Sequence, residues 1–328
     1  MKKPACVDVI IPTYNGLPYL KETVDSVLLQ TYKNFRLLII DDGSTDGGAT
    51  EKYVKNLTDP RVSYYHKKNG GQATARNYGF KISSSPYVCF LDSDDLWSSD
   101  KLARQVEFLE KNRDFGMVYG YHTLFNEKGE EIGRIHHNLE GHLYEHLLDG
   151  NKVSGSASMV MIRRSVVDEV GLFREDFLIG EDWEMWLRVA RKYQIGCIHD
   201  YIARLRALPE GMQKNYLKMA RGLDYMLPIM LKEFKPNFIG RARLRGACLY
   251  DASIYHFLGG NQKMARRDFI KVLFYNPSKI KRRRDLVFVY IRILFGNNIL
   301  RFLRRYASPG YRKREREYFL AQQKKGGF

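Results

Sequence analysis

The chain reads as an α/β protein: a mostly parallel sheet covered by helices on both faces, followed by a helical C-terminal region. Three observations predict this. Short apolar runs alternate with segments of helical periodicity between Val7 and Leu91. Each of those runs stops at a cluster of polar residues or glycines. After about Tyr216 the composition turns helical and strongly basic.

The first strand is the β-branched run Val7 to Ile11, ended by Pro12. Leu17 to Gln30 carries Leu20, Val24, Val27 and Leu28 at helical spacing. Phe35 to Ile40 is a second apolar run, ended by Asp41-Asp42-Gly43, and Ser44 offers an N-cap for a helix through about Leu57. Val62 to Tyr65 is a third strand, Gly71 to Ile82 a third helix, and Tyr87 to Leu91 a fourth strand. Gly116 to Phe125 and Ile132 to Ile135 flank the turn composition Asn126-Glu127-Lys128-Gly129. Ala157 to Ile162 reads as a strand, Trp183 to Lys192 as a helix, and Ile195 to Leu205 as a final strand. Beyond them, Ala247 to Leu258 and Met264 to Tyr275, joined by Gly259-Gly260-Asn261, form a helical hairpin.

Composition narrows the partners. With 328 residues, 44% hydrophobic and 13% aromatic, the chain suits one large or two ordinary domains with a packed core. The net charge of +17 points to a polyanion: nucleic acid, an acidic membrane surface or a phosphorylated ligand. Cys6, Cys89, Cys197 and Cys248 have no CxxC spacing, so zinc is not expected, and the last three sit in apolar segments that suit reduced core cysteines. Met1-Lys2-Lys3-Pro4 leads almost directly into a strand, so no signal peptide is expected. The longest apolar stretch, Leu286 to Phe295, is broken by Arg292 and falls short of the ~20 residues that span a bilayer. A cytoplasmic protein is expected.

Four motifs fall at the ends of successive strands: Pro12-Thr13-Tyr14-Asn15, Asp41 to Gly48, Asn69 to Asn77, and Leu91-Asp92-Ser93-Asp94-Asp95. In a parallel sheet these ends share one edge, where ligands bind. Thr13 and Asn15 supply neutral hydrogen-bonding groups, and Asp42 can accept a ring N–H of a nucleobase. Arg76 supplies a planar fork for phosphate or carboxylate. Clustered carboxylates repel one another, so Asp92 and Asp94 suit Mg²⁺ or Mn²⁺ bridging two phosphates. Together the groups fit a nucleoside diphosphate. Each also has a plain structural reading: an Asx-turn with a helix cap for Asp41 to Gly48, a surface ion pair for Arg76, a solvated turn for the acidic run. Asn69 to Asn77 matches neither GxGxxG nor a Walker A loop.

Taken in order, Val9-Ile10-Ile11-Pro12-Thr13-Tyr14-Asn15, Asp41 to Asp46, Ala75-Arg76-Asn77, Leu91 to Asp95 and Gly180-Glu181-Asp182 resemble the inverting glycosyltransferases of family 2, over roughly residues 5 to 210. The resemblance implies the GT-A fold, a Rossmann-like sheet with helices on both faces. It implies that Thr13, Asn15 and Asp42 bind the base and ribose of a nucleotide sugar, with Arg76 also touching the nucleotide. It makes Asp92 and Asp94 the DxD pair, with Asp94 the more direct ligand of Mn²⁺ or Mg²⁺, and Asp182 the general base. An inverting base belongs on the sugar face opposite the diphosphate, where it takes the acceptor's proton. A helix N-terminal carboxylate is the structural alternative for Asp182. Arg206 holds a place where a His often stands in the family, so any part there is electrostatic. The spacing of Trp183 and Trp186 suits the core. His136, His137, His142 and His146 lack accompanying carboxylates and read as ordinary loop and helix residues.

With that resemblance, residues 1–225 are expected to form the nucleotide-sugar-binding and catalytic domain and 226–328 a basic helical region. There, Tyr290, Ile293, Leu294, Ile299, Leu300 and Leu303 line up beside Arg292, Arg301, Arg304 and Arg305. That pattern suits a helix lying on an anionic membrane, peripheral on the inner face, and equally a helical cap whose stripe packs on protein. The expected reaction is transfer of a sugar from a UDP-sugar, with GDP and dTDP as alternatives, to a saccharide or lipid-linked acceptor in polysaccharide synthesis. Two other classes stay open: a basic nucleic-acid-binding protein, and a non-catalytic scaffold of an assembly complex. An acidic sheet edge repels nucleic-acid phosphate and no RNA-binding motif is present, so no nucleic-acid partner is expected.

Overall fold

The computed structural model describes residues 6–153, 156–208, 215–282, 290, 291, 293 and 294. They fall into two compact units. One comprises Met1–Leu147, Asn151–Asp176 and Glu181–Arg206; the other comprises Leu148–Gly150, Phe177–Gly180 and Ala207–Phe328.

In the first unit the chain runs β1 (Val7–Thr13), α1 (Leu17–Leu28), β2 (Phe35–Asp41), α2 (Ala49–Lys55), β3 (Val62–His66), α3 (Gln72–Ile82), β4 (Tyr87–Phe90), β5 (Leu96–Trp97), α4 (Lys101–Lys111), β6 (Phe115–Phe125) and β7 (Glu131–Ile135). It continues through α5 (Tyr144–Leu147), a 3₁₀ turn at Ala157–Met159, β8 (Met161–Arg163), α6 (Arg164–Val170), α7 (Glu181–Ala190) and β9 (Gln194–Arg206). The strands form one sheet in the order β3-β2-β1-β4-β8-β6-β9-β5, with β7 on β6. Strands β3, β2, β1 and β4 are mutually parallel, β9 is parallel to β6, and β8 is antiparallel to both β4 and β6. The expected α/β class is therefore observed; the sheet is parallel from β3 to β4 and mixed beyond, since β5 and β7 are also antiparallel to β9 and β6. Val9, Ile10 and Ile11 and their neighbours Leu37 to Ile40 are buried on both faces, as continuous apolar runs require.

Register sets up the edge that matters. Thr13 pairs with Asp41, and Asp41 with His66, so β1, β2 and β3 end level with one another. On the other side of β1, Leu91 N–H donates to Ile10 O at 3.0 Å, which starts the acidic loop at the same end.

Two expected elements differ. The helix expected to start from Ser44 begins only at Ala49, because Gly47 and Gly48 both hold positive φ (66° and 81°). Asp46 supplies the cap, accepting from Thr50 N at 3.0 Å and from Thr50 Oγ1 at 2.5 Å. The strand expected over Ala157 to Ile162 is a 3₁₀ turn followed by the short β8, since Ser156 Oγ accepts from Ser158 N and turns the chain. Helix α4, unassigned from sequence, buries Leu102, Val106 and Leu109 at helical spacing.

The second unit is helical: α8 (Tyr216–Phe234), α9 (Phe238–Leu258), α10 (Gln262–Tyr275) and α11 (Pro277–Arg282). Asn215, Asn237 and Asn261 cap α8, α9 and α10 through their side-chain oxygens. Its core joins Leu249, Tyr250, Ala265, Phe269, Val272, Tyr290 and Ile293. Tyr290 and Ile293, with Leu294 packed against this core, belong to the stripe singled out in the sequence; its remaining members Arg292, Ile299, Leu300, Arg301, Leu303, Arg304 and Arg305 lie outside the described residues. Among the described residues, no helix is long and apolar enough to cross a membrane. All four cysteines are free.

Candidate active site

Beyond the ends of β1, β2 and β3 the chain builds a loop cluster. Asn15, at φ 52°, donates its backbone N–H to Ser44 Oγ at 2.9 Å and accepts from Thr45 N at 2.8 Å. These bonds fasten the β1–α1 loop to the loop after β2. Asp42 is buried, and its carboxylate accepts from Lys67 Nζ at 2.5 Å, Gly71 N at 2.7 Å and Gly70 N at 3.1 Å. It thereby anchors the loop after β3, with two backbone N–H groups and one ammonium converging on it. Gly43 permits this closeness: its φ is 76°, and a Cβ there would meet Asn69 N at 2.7 Å. Thr13 closes the floor. Its Oγ1 is buried with no hydrogen-bond partner among the described residues, at the carboxyl end of β1.

Beyond β4 lies a second cluster, centred on Arg76 of α3. The guanidinium is buried, donating from Nη2 to Asp92 Oδ1 at 2.6 Å and from Nη1 to Glu181 Oε1 at 2.9 Å. Phe173 flanks it at 5.4 Å. Burial opposes its charge, but Asp92 and Glu181 outweigh that effect and raise its pKa. Arg76 is thus no surface ion pair; it ties the acidic loop to the start of α7.

The three carboxylates of the acidic loop differ sharply in surroundings. Asp92 also accepts from Gln72 Nε2 at 2.6 Å and Ser156 Oγ at 3.0 Å, so both its oxygens are held. Asp95 is buried, accepting from Ser158 Oγ at 2.7 Å and Arg206 N at 3.1 Å. Burial, then the charges of Asp92 and Asp94, push its pKa well up. Asp94 has no side-chain donor among the described residues, and burial followed by the Asp92 charge pushes its pKa up to about 6. A carboxyl group under that strain is a fit ligand for a hard cation, which would relieve the repulsion. The described residues hold no ready cluster of three or more His, Cys, Asp or Glu for a metal ion. Asp92 and Asp94 would suit Mg²⁺ or Mn²⁺, which bind through one or two protein carboxylates together with water and phosphate oxygens.

Arg206, at the end of β9, lies against the same loop. It donates from Nε to Asp94 O at 3.0 Å and from Nη2 to Glu22 Oε2 at 2.7 Å, between the rings of Tyr19 and Phe125. Asp182 opens α7 beside Glu181, accepting from Trp183 N at 2.6 Å and Asn151 Nδ2 at 3.2 Å. Burial and then the Glu181 charge push its pKa up to about 7, with Arg76 pulling the other way. A carboxyl titrating near neutrality is poised to take a proton. The backbone bond from Trp183 also makes it a helix-end acceptor, the structural alternative for this residue.

Arg76, Asp92, Asp94, Asp182 and Arg206 therefore gather beyond β4, while Asn15 and Asp42 lie in the neighbouring loop cluster and Thr13 on the strand between. Gln72, Ser156, Ser158, Asn151, Lys67 and Glu181 were not nominated from sequence. Gln72, Lys67 and Glu181 adjoin or lie within the motifs, which is a usable signal; the serines of Ser154-Gly155-Ser156-Ala157-Ser158 carry none. Trp183 and Trp186 are buried in the core, as expected.

The family model for glycosyl transferase family 2 matches residues 8–171. An uncharacterized glycosyltransferase of Rickettsia conorii is 38% identical over 201 residues, covering 61% of this chain and 32% of that protein. This chain spans about a third of the length of such Rickettsia relatives. TuaG of Bacillus subtilis, whose name assigns it to teichuronic acid biosynthesis, is 31% identical over 217 residues, covering 66% of this chain and 84% of TuaG. WfaP of Escherichia coli, named as a UDP-Glc:alpha-D-GlcNAc-diphosphoundecaprenol beta-1,3-glucosyltransferase, is 32% identical over 190 residues, 57% of this chain and 70% of WfaP. Among solved structures, the mannosyltransferase PcManGT of Pyrobaculum calidifontis with GDP-Man and Mn²⁺ gives a TM-score of 0.57 at 19% identity, covering 90% of this chain and 89% of that one. Staphylococcus aureus TarS 1-349 with UDP-GlcNAc gives 0.54 at 15%, covering 84% and 91%; these two likenesses concern the fold alone. With half of the chain matched by the family model and its fold shared with GT-A structures, the chain belongs to glycosyl transferase family 2.

Proposed function

We propose that the chain is an inverting glycosyltransferase that moves a sugar from a nucleoside-diphosphate sugar to an acceptor hydroxyl by metal-assisted direct displacement. One observation carries the reading: the buried Arg76 bridges Asp92 of the acidic loop and Glu181, the neighbour of Asp182. This bridge couples the diphosphate end of the site to the base. UDP is the first choice of nucleotide, since TarS binds UDP-GlcNAc and WfaP is named for UDP-Glc; GDP stays open, since PcManGT binds GDP-Man.

In this reading Thr13 Oγ1, with its unfilled hydrogen bond, and Asn15 receive the base and ribose. Asp42 acts chiefly by holding the Lys67–Gly71 loop as a wall of that pocket; its oxygens already accept from Lys67, Gly70 and Gly71, so a ring N–H would share them. Asp94, and Asp92 behind it, would hold Mn²⁺ or Mg²⁺, which neutralises charge on the departing diphosphate. Asp182 accepts the acceptor's proton as its oxygen attacks the anomeric carbon, on the face opposite the diphosphate. Asn151 and Trp183 N–H orient that carboxylate, and Arg206 lends positive charge beside the diphosphate. Residues 1–225 are the catalytic part and 226–328 an accessory helical region. The acceptor is a saccharide or lipid-linked saccharide of cell-surface polysaccharide synthesis, in keeping with the names of TuaG and WfaP. A lipid-linked acceptor would bring the helical region to an anionic membrane.

The test is thermal stabilisation by UDP and GDP with Mn²⁺, followed by transfer assays on Asp182→Asn. Stabilisation by one nucleotide, with transfer abolished but nucleotide binding kept in the variant, is expected. If neither nucleotide raises the melting temperature, or the variant still transfers at the wild-type rate, the proposal fails.

A further inference from the structure

The apolar stripe that the sequence nominates near residue 290 has Tyr290 and Ile293 buried in the helical unit. Among the described residues, another face of that unit is exposed. Along α10, Lys263, Arg266, Ile270 and Phe274 recur at three- and four-residue spacings and so share one face. Leu273 flanks this stripe and Lys271 borders it. All six are exposed, with Ile270 at 41%, Leu273 at 44% and Phe274 at 81%. The opposite side of α10 carries Ala265, Phe269 and Val272 into the core. Its single acid, Asp268, is on that buried side and pairs with Arg267 at 2.8 Å, so the outer face bears no negative charge.

We propose that this outer face of α10 docks on an anionic lipid surface, with Ile270, Leu273 and Phe274 entering the headgroup boundary and Lys263, Arg266 and Lys271 meeting lipid phosphates. Apolar groups interleaved with cations on a helix need hydrocarbon and anions at the same depth, which a bilayer interface supplies. Nucleic-acid phosphates would satisfy the cations and leave Ile270 and Leu273 without a partner. A second copy would bring another net charge of +17 against the first. The inference rests on the proposed membrane partner and names the face that meets it.

The experiment is flotation of the full chain with phosphatidylglycerol–phosphatidylcholine vesicles and with phosphatidylcholine alone. Two double variants accompany it: Ile270→Ser with Phe274→Ser, and Lys263→Glu with Arg266→Glu. The wild type should bind only the anionic vesicles, and the charge variant, which reverses two charges, should lose at least about 30-fold in partitioning. The serine variant should lose at least about tenfold. Both should keep the wild-type melting profile and nucleotide stabilisation; if the serine variant melts without cooperativity, the charge variant decides. Failure of the wild type to bind any vesicle overturns the membrane reading and this inference together. Wild-type binding with unchanged variants overturns this inference alone. So does a wild-type dimer that the variants convert to monomer without changing flotation.

Discussion

Replacing Glu181 with Gln should move the pH profile of transfer downward by about one unit. Asp182 has a carboxyl pushed up to about 7, first by burial and then by the charge of Glu181, against the pull of Arg76. The substitution removes that like charge and also releases Arg76 from one of its two acids. Both changes favour ionised Asp182. Two unit charges ~8 Å apart at an effective dielectric constant near ~20 interact by about 2 kcal/mol. At about 1.4 kcal/mol per pKa unit, and with partial screening, the shift comes to about one unit. A general base works as the carboxylate, so transfer is lost as pH falls through its pKa. The wild type should therefore fall about tenfold per pH unit below about 7 and be flat above it. At about pH 6 the variant should keep about half of its plateau rate, against about a tenth for the wild type. The assay is the initial rate of nucleoside diphosphate release at fixed Mn²⁺ across that range. Both enzymes are read at the same Mn²⁺ concentration, and the difference between their profiles is the readout. A profile that stays in place or moves upward would refute the assignment of the titrating group to Asp182.

Asp94→Asn should remove the Mn²⁺-dependent part of nucleotide stabilisation and leave any metal-independent part, read by thermal melting; a full metal response in the variant contradicts the ligand assignment. Arg76→Met leaves the largely buried Asp92 and Glu181 without their cation, which should cost about 3–5 kcal/mol in urea unfolding. A loss under about 1 kcal/mol would mean that this network is not buried as described. Gly43→Ala forces a side chain at φ 76° against Asn69 N, so it should displace the Asp42 anchor and weaken nucleotide binding several-fold in calorimetric titration. Unchanged affinity would separate that loop from the donor pocket.

Most of the framework is legible in the chain because its signals are local. Leu20, Val24 and Val27 mark α1 within a single window, and β1, β2 and β4 are largely apolar runs, broken only by Asp8 and Arg36, that end at polar loops. The mis-set start of α2 shows the limit: Ser44 has the chemistry of a cap, but two glycines in left-handed conformation delay the helix to Ala49. Helix α4 was missed between the acidic loop and β6 although Leu102, Val106 and Leu109 carry its periodicity. The serines at 156 and 158 could not have been found, because their role depends on a return of the chain to β4 that no local pattern encodes.

Strand–helix alternation, the sheet edge that collects the motifs and membership in family 2 all follow from residues close together in sequence. Such features need only hydrophobic periodicity and the residues next to each strand end. The ranking of the acids depends on folding. Asp92 is held by Arg76, Gln72 and Ser156, Asp95 is buried under Ser158, and Asp94 keeps a buried carboxyl with no side-chain donor among the described residues. The pairing of Arg76 with Glu181 across 105 positions likewise exists only once the sheet edge and α7 meet. Electrostatic energies depend on separation and burial in space, and neither is encoded at the level of a motif.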